Sequence, residues 1–187
     1  MNANNLYDFL SSYMEEFEYN QGTWHEIELE KIDKQEKTKL WNLFKDSYDY
    51  MKDDMIKGMS QKKFFNEYSK AFVLDGNGDK KMDAFIIYKE KNDYKKISLL
   101  GTNANGKKFL IEKLINILHK NGFFIEASLK IETILSKKLK PIQDINLIDK
   151  ILGTFSNKKI VHKENGFYER NVSLSNKIIT KRIYGNV

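Results

Sequence analysis

Residues 96–128 read KISLLGTNANGKKFLIEKLINILHKNGFFIEAS, and the changes of period along them decide the fold. Lys96 to Gly101 is a short, largely apolar strand, and Thr102-Asn103-Ala104-Asn105-Gly106 is a polar loop. From about Lys107 the apolar residues recur at helical spacing. Leu110, Leu114, Ile117 and Leu118 share one face, with Ile111 and Ile115 beside them. Asn121-Gly122 closes the helix, because Asn and Gly accept the left-handed backbone that ends one. Phe123 to Ser128 is again a strand. A helix that connects two strands of one sheet is a crossover, and a crossover leaves the two strands parallel.

Upstream, Ala71–Leu74 and Ala84–Tyr88 flank Asp75-Gly76-Asn77-Gly78-Asp79, which reads as an antiparallel hairpin. That loop is not a calcium loop, since Lys80 stands where the turn glycine belongs and no Glu closes it. Leu40, Phe44, Tyr48, Met51 and Met55 form the stripe of a helix from about Lys37 to Gly58. Ser60 caps a second helix with Phe64, Phe65 and Tyr68. Trp24–Ile32 alternates as a strand, and Leu6–Phe17 reads as an amphipathic helix. Downstream, a helix over about Lys130–Lys138 ends before Pro141, and Asp144 caps another from Ile145 to Leu152, stopping at Gly153. Lys159–Lys163 and Phe167–Leu174 form a last hairpin across Asn165-Gly166. The expectation is an α/β (α+β) domain over residues 23–187 with a helical extension over 1–22. Its mixed, mostly antiparallel sheet has about six or seven strands.

The 187 residues, 41% of them hydrophobic and including 12 Phe and 10 Tyr, hold enough apolar mass for a core. No apolar run is long enough to span a membrane, and the acidic start is unlike a secretory signal. With no Cys, disulfides, thiolate zinc sites and cysteine nucleophiles are excluded, and a cytoplasmic location is the default expectation. The net charge of +6 leaves room for a nucleic-acid partner, yet only Arg170 and Arg182 among the 32 basic residues are arginines. Bidentate recognition of bases and phosphates draws on arginine, so a lysine-covered, solvated surface is the better explanation of the charge. His25, His119 and His162 lie far apart with no metal-ligand spacing, so no metal is expected.

Chemistry is best sought where the loop meets the long helix. A helix start presents unpaired amides and the positive dipole end, Gly106 permits close approach of a ligand, and Lys107 and Lys108 add charge. Neither the P-loop nor the dinucleotide glycine pattern is present.

The hairpin, the strand KKISLLG, the loop TNANG, the helix KKFLIEKLINILHKNG and the strand FFIEAS, in that order, resemble the GCN5-related N-acetyltransferase superfamily over roughly residues 25–175. The short Lys/Asn-rich sequence and long final hairpin resemble phage-encoded members. The resemblance implies that the fourth strand and its loop hold acetyl-CoA or another acyl-CoA. It implies that Leu99, Leu100 and Gly101 line the pantetheine arm. The family's [QR]-x-x-G-x-[GA] pattern falls on Thr102, Asn105 and Lys107, all three of which depart from it, and Gly106 stands one residue late. Ser136 falls where the family often carries a tyrosine acid.

Acyl transfer to an amine needs a base for the ammonium, stabilisation of an oxyanion and a proton for the thiolate. Glu126 interrupts an apolar strand and is the candidate base, with a raised pKa expected if it is buried. Ser128, two residues on, shares its face and either donates a hydrogen bond or protonates the thiolate, or else caps the next helix. Tyr168 and Arg170 alternate on one strand face; the resemblance implies that they flank the acceptor, while Tyr168 read alone is equally a core residue. The acceptor is a small amine, a protein amine or a modified nucleobase. Two other readings stand beside acyl transfer: a DNA-base-modifying enzyme on the same fold, motivated by the charge, and a non-catalytic binding protein, motivated by the departed loop.

Overall fold

Residues 71–74 and 84–88 are apolar at every position, so strands made from them must be covered on both faces. In the computed structural model, which describes residues 23–48, 58–75, 81–172 and 177–187, they are. The expected extension over 1–22, Met51, Met55 and most of the 75–79 loop lie outside the described residues. The chain runs through β1 (Thr23–Glu28), α1 (Lys34–Tyr48), α2 (Gln61–Glu67), β2 (Lys70–Asp75), β3 (Met82–Lys91) and β4 (Tyr94–Thr102). Then come α3 (Lys107–Leu118), β5 (Phe123–Ser128), α4 (Leu129–Leu135), β6 (Pro141–Ile142), α5 (Ile145–Phe155), β7 (Ile160–His162), a 3-10 turn (Glu164–Gly166), β8 (Tyr168–Val172) and β9 (Lys177–Gly185).

The strands form one sheet in the order β1-β2-β3-β4-β5-β9-β8-β7, with β6 also on β9. Only β4 and β5 among the named strands pair in parallel, as the α3 crossover requires. The described residues form nine strands, more than the expected six or seven. The final hairpin is three strands, because β9 carries Lys181 and Arg182 in its middle and does not read as a buried strand. Arg182 and Tyr184 on β9 both bond Glu132 of α4, at 3.2 and 2.8 Å, which satisfies the charge.

Local signals explain the helix ends. α1 begins at Lys34, earlier than its apolar stripe suggests, because Asp33 and Glu36 bond each other's amides as a capping box. Ser60 and Asp144 cap α2 and α5 as expected. α5 runs through Gly153 to Phe155, since that glycine faces open space and nothing there stops the helix.

α3 and α4 cover one sheet face, with Leu110, Leu114, Ile117 and Leu135 against Ile86, Tyr88, Ile97, Ile125 and Tyr184. On the other face, α1 and α2 place Leu40, Phe44 and Phe64 on Val73, Phe85 and Ile87. α5 places Ile148, Ile151 and Leu152 on Phe124, Tyr168 and Ile183 of the same face. Among the described residues no helix is long and apolar enough to cross a membrane.

Candidate functional site

β4 and β5 pair only from Lys95–Phe123 to Ile97–Ile125 and then part, forming a fork. A bulge in β4 accompanies the parting: Tyr88 faces Ile97 and Ile87 faces Leu99, which leaves Ser98 over. Beyond it β4 stays with β3 and turns its other edge into the fork. The Asn103 amide donates to the Asp83 carbonyl of β3 at 2.9 Å. Amides alternate edges along a strand, so those of Thr102 and Leu100 face the fork.

Both edge amides are already bonded. Leu100 N–H donates to the Tyr48 hydroxyl at 3.2 Å, and Thr102 N–H donates to Ser47 Oγ at 3.1 Å. The end of α1 therefore lies along the inner edge of β4. Gly101 permits this: a Cβ there would come within 2.2 Å of the Phe85 ring and 2.7 Å of Ser47 Oγ.

The loop after β4 is likewise self-bonded. Asn103 donates to the Asp83 carboxylate at 2.6 Å and accepts from the amides of Asn105 and Gly106 at 2.9 and 3.0 Å. Thr102 donates through Oγ1 to the Asp83 and Asn103 carbonyls. A Cβ on Gly106 would lie 2.3 Å from the Asp83 carbonyl oxygen, so this glycine serves contact of the loop with β3 and its Cα does not open toward a ligand. Asn105, Lys107 and Lys108 are exposed, Leu99, Leu100 and Thr102 are half-buried, and Gly101 is buried.

Glu126 is the first residue of β5 past the last pair with β4, at the apex of the fork. Period-2 alternation on β5, β9 and β8 brings Glu126, Lys181, Tyr168 and Arg170 to the α5 side of the sheet. The Glu126 side chain is 4% exposed and in contact with Lys96 Nζ. Arg170 Nη1 lies 3.1 Å from Oε1 and 3.2 Å from Oε2, and the Tyr168 hydroxyl donates to Oε1 at 2.7 Å. Burial alone raises the carboxyl pKa, as expected, but the charges of Lys96, Lys181 and Arg170 outweigh it and hold it at about 2. This corrects the expectation of a raised value. Glu126 is a firm counter-ion and a poor proton acceptor.

The same environment acts on its neighbours. Burial first, then the Glu126 charge, pushes the Tyr168 phenol well up, so it stays a donor. Burial, with Lys96 and Arg170 beside it, pushes Lys181 down against the pull of Glu126. Among the described residues, Arg170 Nε and Nη2 are buried without a hydrogen-bond partner.

The structure thus brings Glu126, Tyr168 and Arg170 together. Ser128 is exposed at the N-cap position of α4, with no side-chain capping bond, and lies opposite Lys181 in the β5–β9 register. Ser136 ends α4, its hydroxyl 3.4 Å from the Thr133 carbonyl. Lys96, Lys181, Ser47, Tyr48 and Asn103 were not legible as site residues. For Lys181 a signal existed: Ile179, Lys181 and Ile183 alternate, which marks an inward-facing cation once β9 is recognised as a strand. His162 and His25 each sit beside one carboxylate, Asp149 at 2.8 Å and Asp75 at 3.4 Å.

The sheet comprises an antiparallel run β1 to β4, a crossover through α3, a parallel β4–β5 fork and a return of the last strands beside β5. The layout is the one that the resemblance implies. No family model matches the chain, and no curated protein matches it. Among solved structures it is similar to the PaiA N-acetyltransferase from Thermoplasma acidophilum in complex with coenzyme A. The identity is 13% and the TM-score 0.41, over 87% of this chain and 99% of that one.

Proposed function

We propose that this chain is an acyl-CoA-dependent N-acyltransferase, acetyl-CoA being the first donor to test, with the amine acceptor at the apex of the β4–β5 fork. The observation that carries this reading is the inner edge of β4 beyond Ile97, which no strand covers among the described residues. Its two inward amides, Leu100 and Thr102, are held by side-chain hydroxyls and not by a strand. Carbonyls of a pantetheine arm would take the places of the Tyr48 and Ser47 oxygens, since a buried amide accepts either partner at similar free energy. Lys107 and Lys108 at the start of α3 would face the pyrophosphate, and Asn103 would release the Asn105 and Gly106 amides. The bound donor supplies an activated thioester. Tyr168 is held protonated beside the apex and would be the proton donor there, while Glu126, held ionised with a low pKa, is a poor acceptor for the proton of the amine.

A non-catalytic binding protein is the second reading, and one specific observation favours it: four amides that the cofactor would use are already satisfied within the chain. Calorimetric titration with acetyl-CoA separates the two. The acyltransferase reading expects saturable binding that tightens in Tyr48→Phe and Ser47→Ala, because each removes a competitor worth about 1 kcal/mol, or roughly fivefold. Absence of binding at millimolar acetyl-CoA in the wild type and both variants removes that reading and leaves the binding protein.

A further inference from the structure

At the apex, Lys96, Lys181 and Arg170 surround a single carboxylate. Glu126 is fully engaged: Oε1 accepts from Tyr168, and both oxygens lie within reach of Arg170 Nη1 or Lys96. Arg170 is not. Its Nη1 serves Glu126, while Nε and Nη2 are buried and unbonded among the described residues. Those two nitrogens share one edge of the guanidinium and point their hydrogens in parallel, the fork that grips both oxygens of a carboxylate or phosphate.

Buried donors left without partners cost stability, and so does a surplus of buried positive charge. A purely structural ion network would place a second acid here. The register neighbours of Arg170 and Glu126 on this face include Phe124, Ser128, Ile160, Ile179 and Ile183, none of them acidic. On the covering helix α5, Asp149 is engaged with His162. The missing negative charge is not supplied by these elements. The Arg170 side chain is 12% exposed and that of Lys96 17%, so the cluster meets solvent at its rim.

We infer that the apex of the fork is an oxyanion-binding site, in which a carboxylate or phosphate of the ligand lies on the Nε/Nη2 edge of Arg170 with Lys181 as the second cation. Calling that ligand the acceptor rests on the acyltransferase reading; the oxyanion site itself stands on the cluster. If both hold, the acceptor is an anionic amine, such as an amino acid or an amino-phosphate, and not a polycation. The uncomfortable charge of Lys181 fits the same picture, since an arriving anion relieves it.

The test uses the full chain without any coenzyme and two matched probe pairs, glycine against glycinamide and phosphoethanolamine against ethanolamine, followed by calorimetry and by amide NMR shifts. The expected result is that the member carrying the carboxylate or phosphate binds at least tenfold more tightly than its partner without that group in at least one pair; which pair does so separates carboxylate from phosphate. Arg170→Lys, which keeps the charge and removes the fork, weakens that binding at least tenfold. Lys181→Met weakens it as well, and supplies the same readout if Arg170→Lys does not fold. Equal binding of the probes with and without the oxyanion group, no binding of glycine or phosphoethanolamine at tens of millimolar, or wild-type affinity in the folded variants overturns the inference. Because no acetyl-CoA is present, a failed cofactor titration and a failed oxyanion titration are separate results.

Discussion

The two arms of the β4–β5 fork treat their polar groups in opposite ways. On the β4 arm, Tyr48, Ser47 and Asn103 satisfy the amides of Leu100, Thr102, Asn105 and Gly106 within the chain. Beside the β5 arm, Arg170 of β8 keeps two buried donors unbonded among the described residues, and three cations share the Glu126 carboxylate. Buried hydrogen-bonding groups are nearly always paired, so the first arm is ordinary and the second needs an explanation. The difference teaches where to look for a ligand. The amides at the start of α3 direct attention to the β4 loop, whereas the unmet chemical demand lies at Glu126 and Arg170.

The largest effect that can test this contrast is removal of the shared carboxylate. Glu126→Ala leaves Lys96, Lys181 and Arg170 without their counter-ion and is expected to cost about 3 to 5 kcal/mol in denaturant unfolding. The wild type should show the matching pH dependence. With a folded pKa of about 2 against an ordinary 4.5, the charged form is favoured by folding. Its contribution is full above pH 4.5 and drains away as the pH falls toward 2. The variant should lose this part of the acid sensitivity, and an unchanged acid profile would show that the cluster does not hold Glu126 ionised.

Asn103→Ala acts on the other arm. It leaves the Asn105 and Gly106 amides and the Asp83 carboxylate without their shared partner, a loss of about 1 to 2 kcal/mol. If those amides serve a pyrophosphate, acetyl-CoA affinity rises while thermal stability falls; if Asn103 only holds the loop, both fall together.

The smallest effect is a gain. Lys181 is charged against the preference of its surroundings, so Lys181→Met is expected to raise stability at neutral pH by about 1 kcal/mol. A lowered lysine pKa penalises the fold while the amine is charged, and the penalty shrinks as the pH rises toward 10.5. The difference in Tm between variant and wild type should therefore narrow in alkaline buffer. A gap that does not change with pH would assign the gain to packing.

Much of the fold was legible because it rests on local patterns. The change from period two to helical spacing between Gly101 and Leu110, and back at Phe123, fixed the crossover and hence the parallel pair. Ser60 and Asp144 announced their helices by side-chain chemistry alone. β9 was illegible because its inward Lys181 is balanced by Glu126, 55 residues earlier in the chain, and no local pattern encodes that partner. β6 is two residues long, too short to carry a period. The chemical state of Glu126 was misjudged for a related reason: its burial could be read from the apolar strand around it, but the three cations come from β4, β8 and β9. Gly106 was read as an opening for a ligand because a glycine shows that something approaches closely, and the sequence does not show what. Here it is the Asp83 carbonyl.

β9 meets β5 along residues 181–185, β8 along 177–181 and β6 at 183–184, and so joins three strands that otherwise share no ladder. During synthesis β1 to β4 can close by neighbouring antiparallel contacts as they emerge, whereas β5, β6 and β8 have no common partner until residues 177–185 are made. The charged cluster is therefore completed last: β5 can join β4 and bring Glu126 to Lys96, but Arg170 on β8 has no ladder to either until β9 is made.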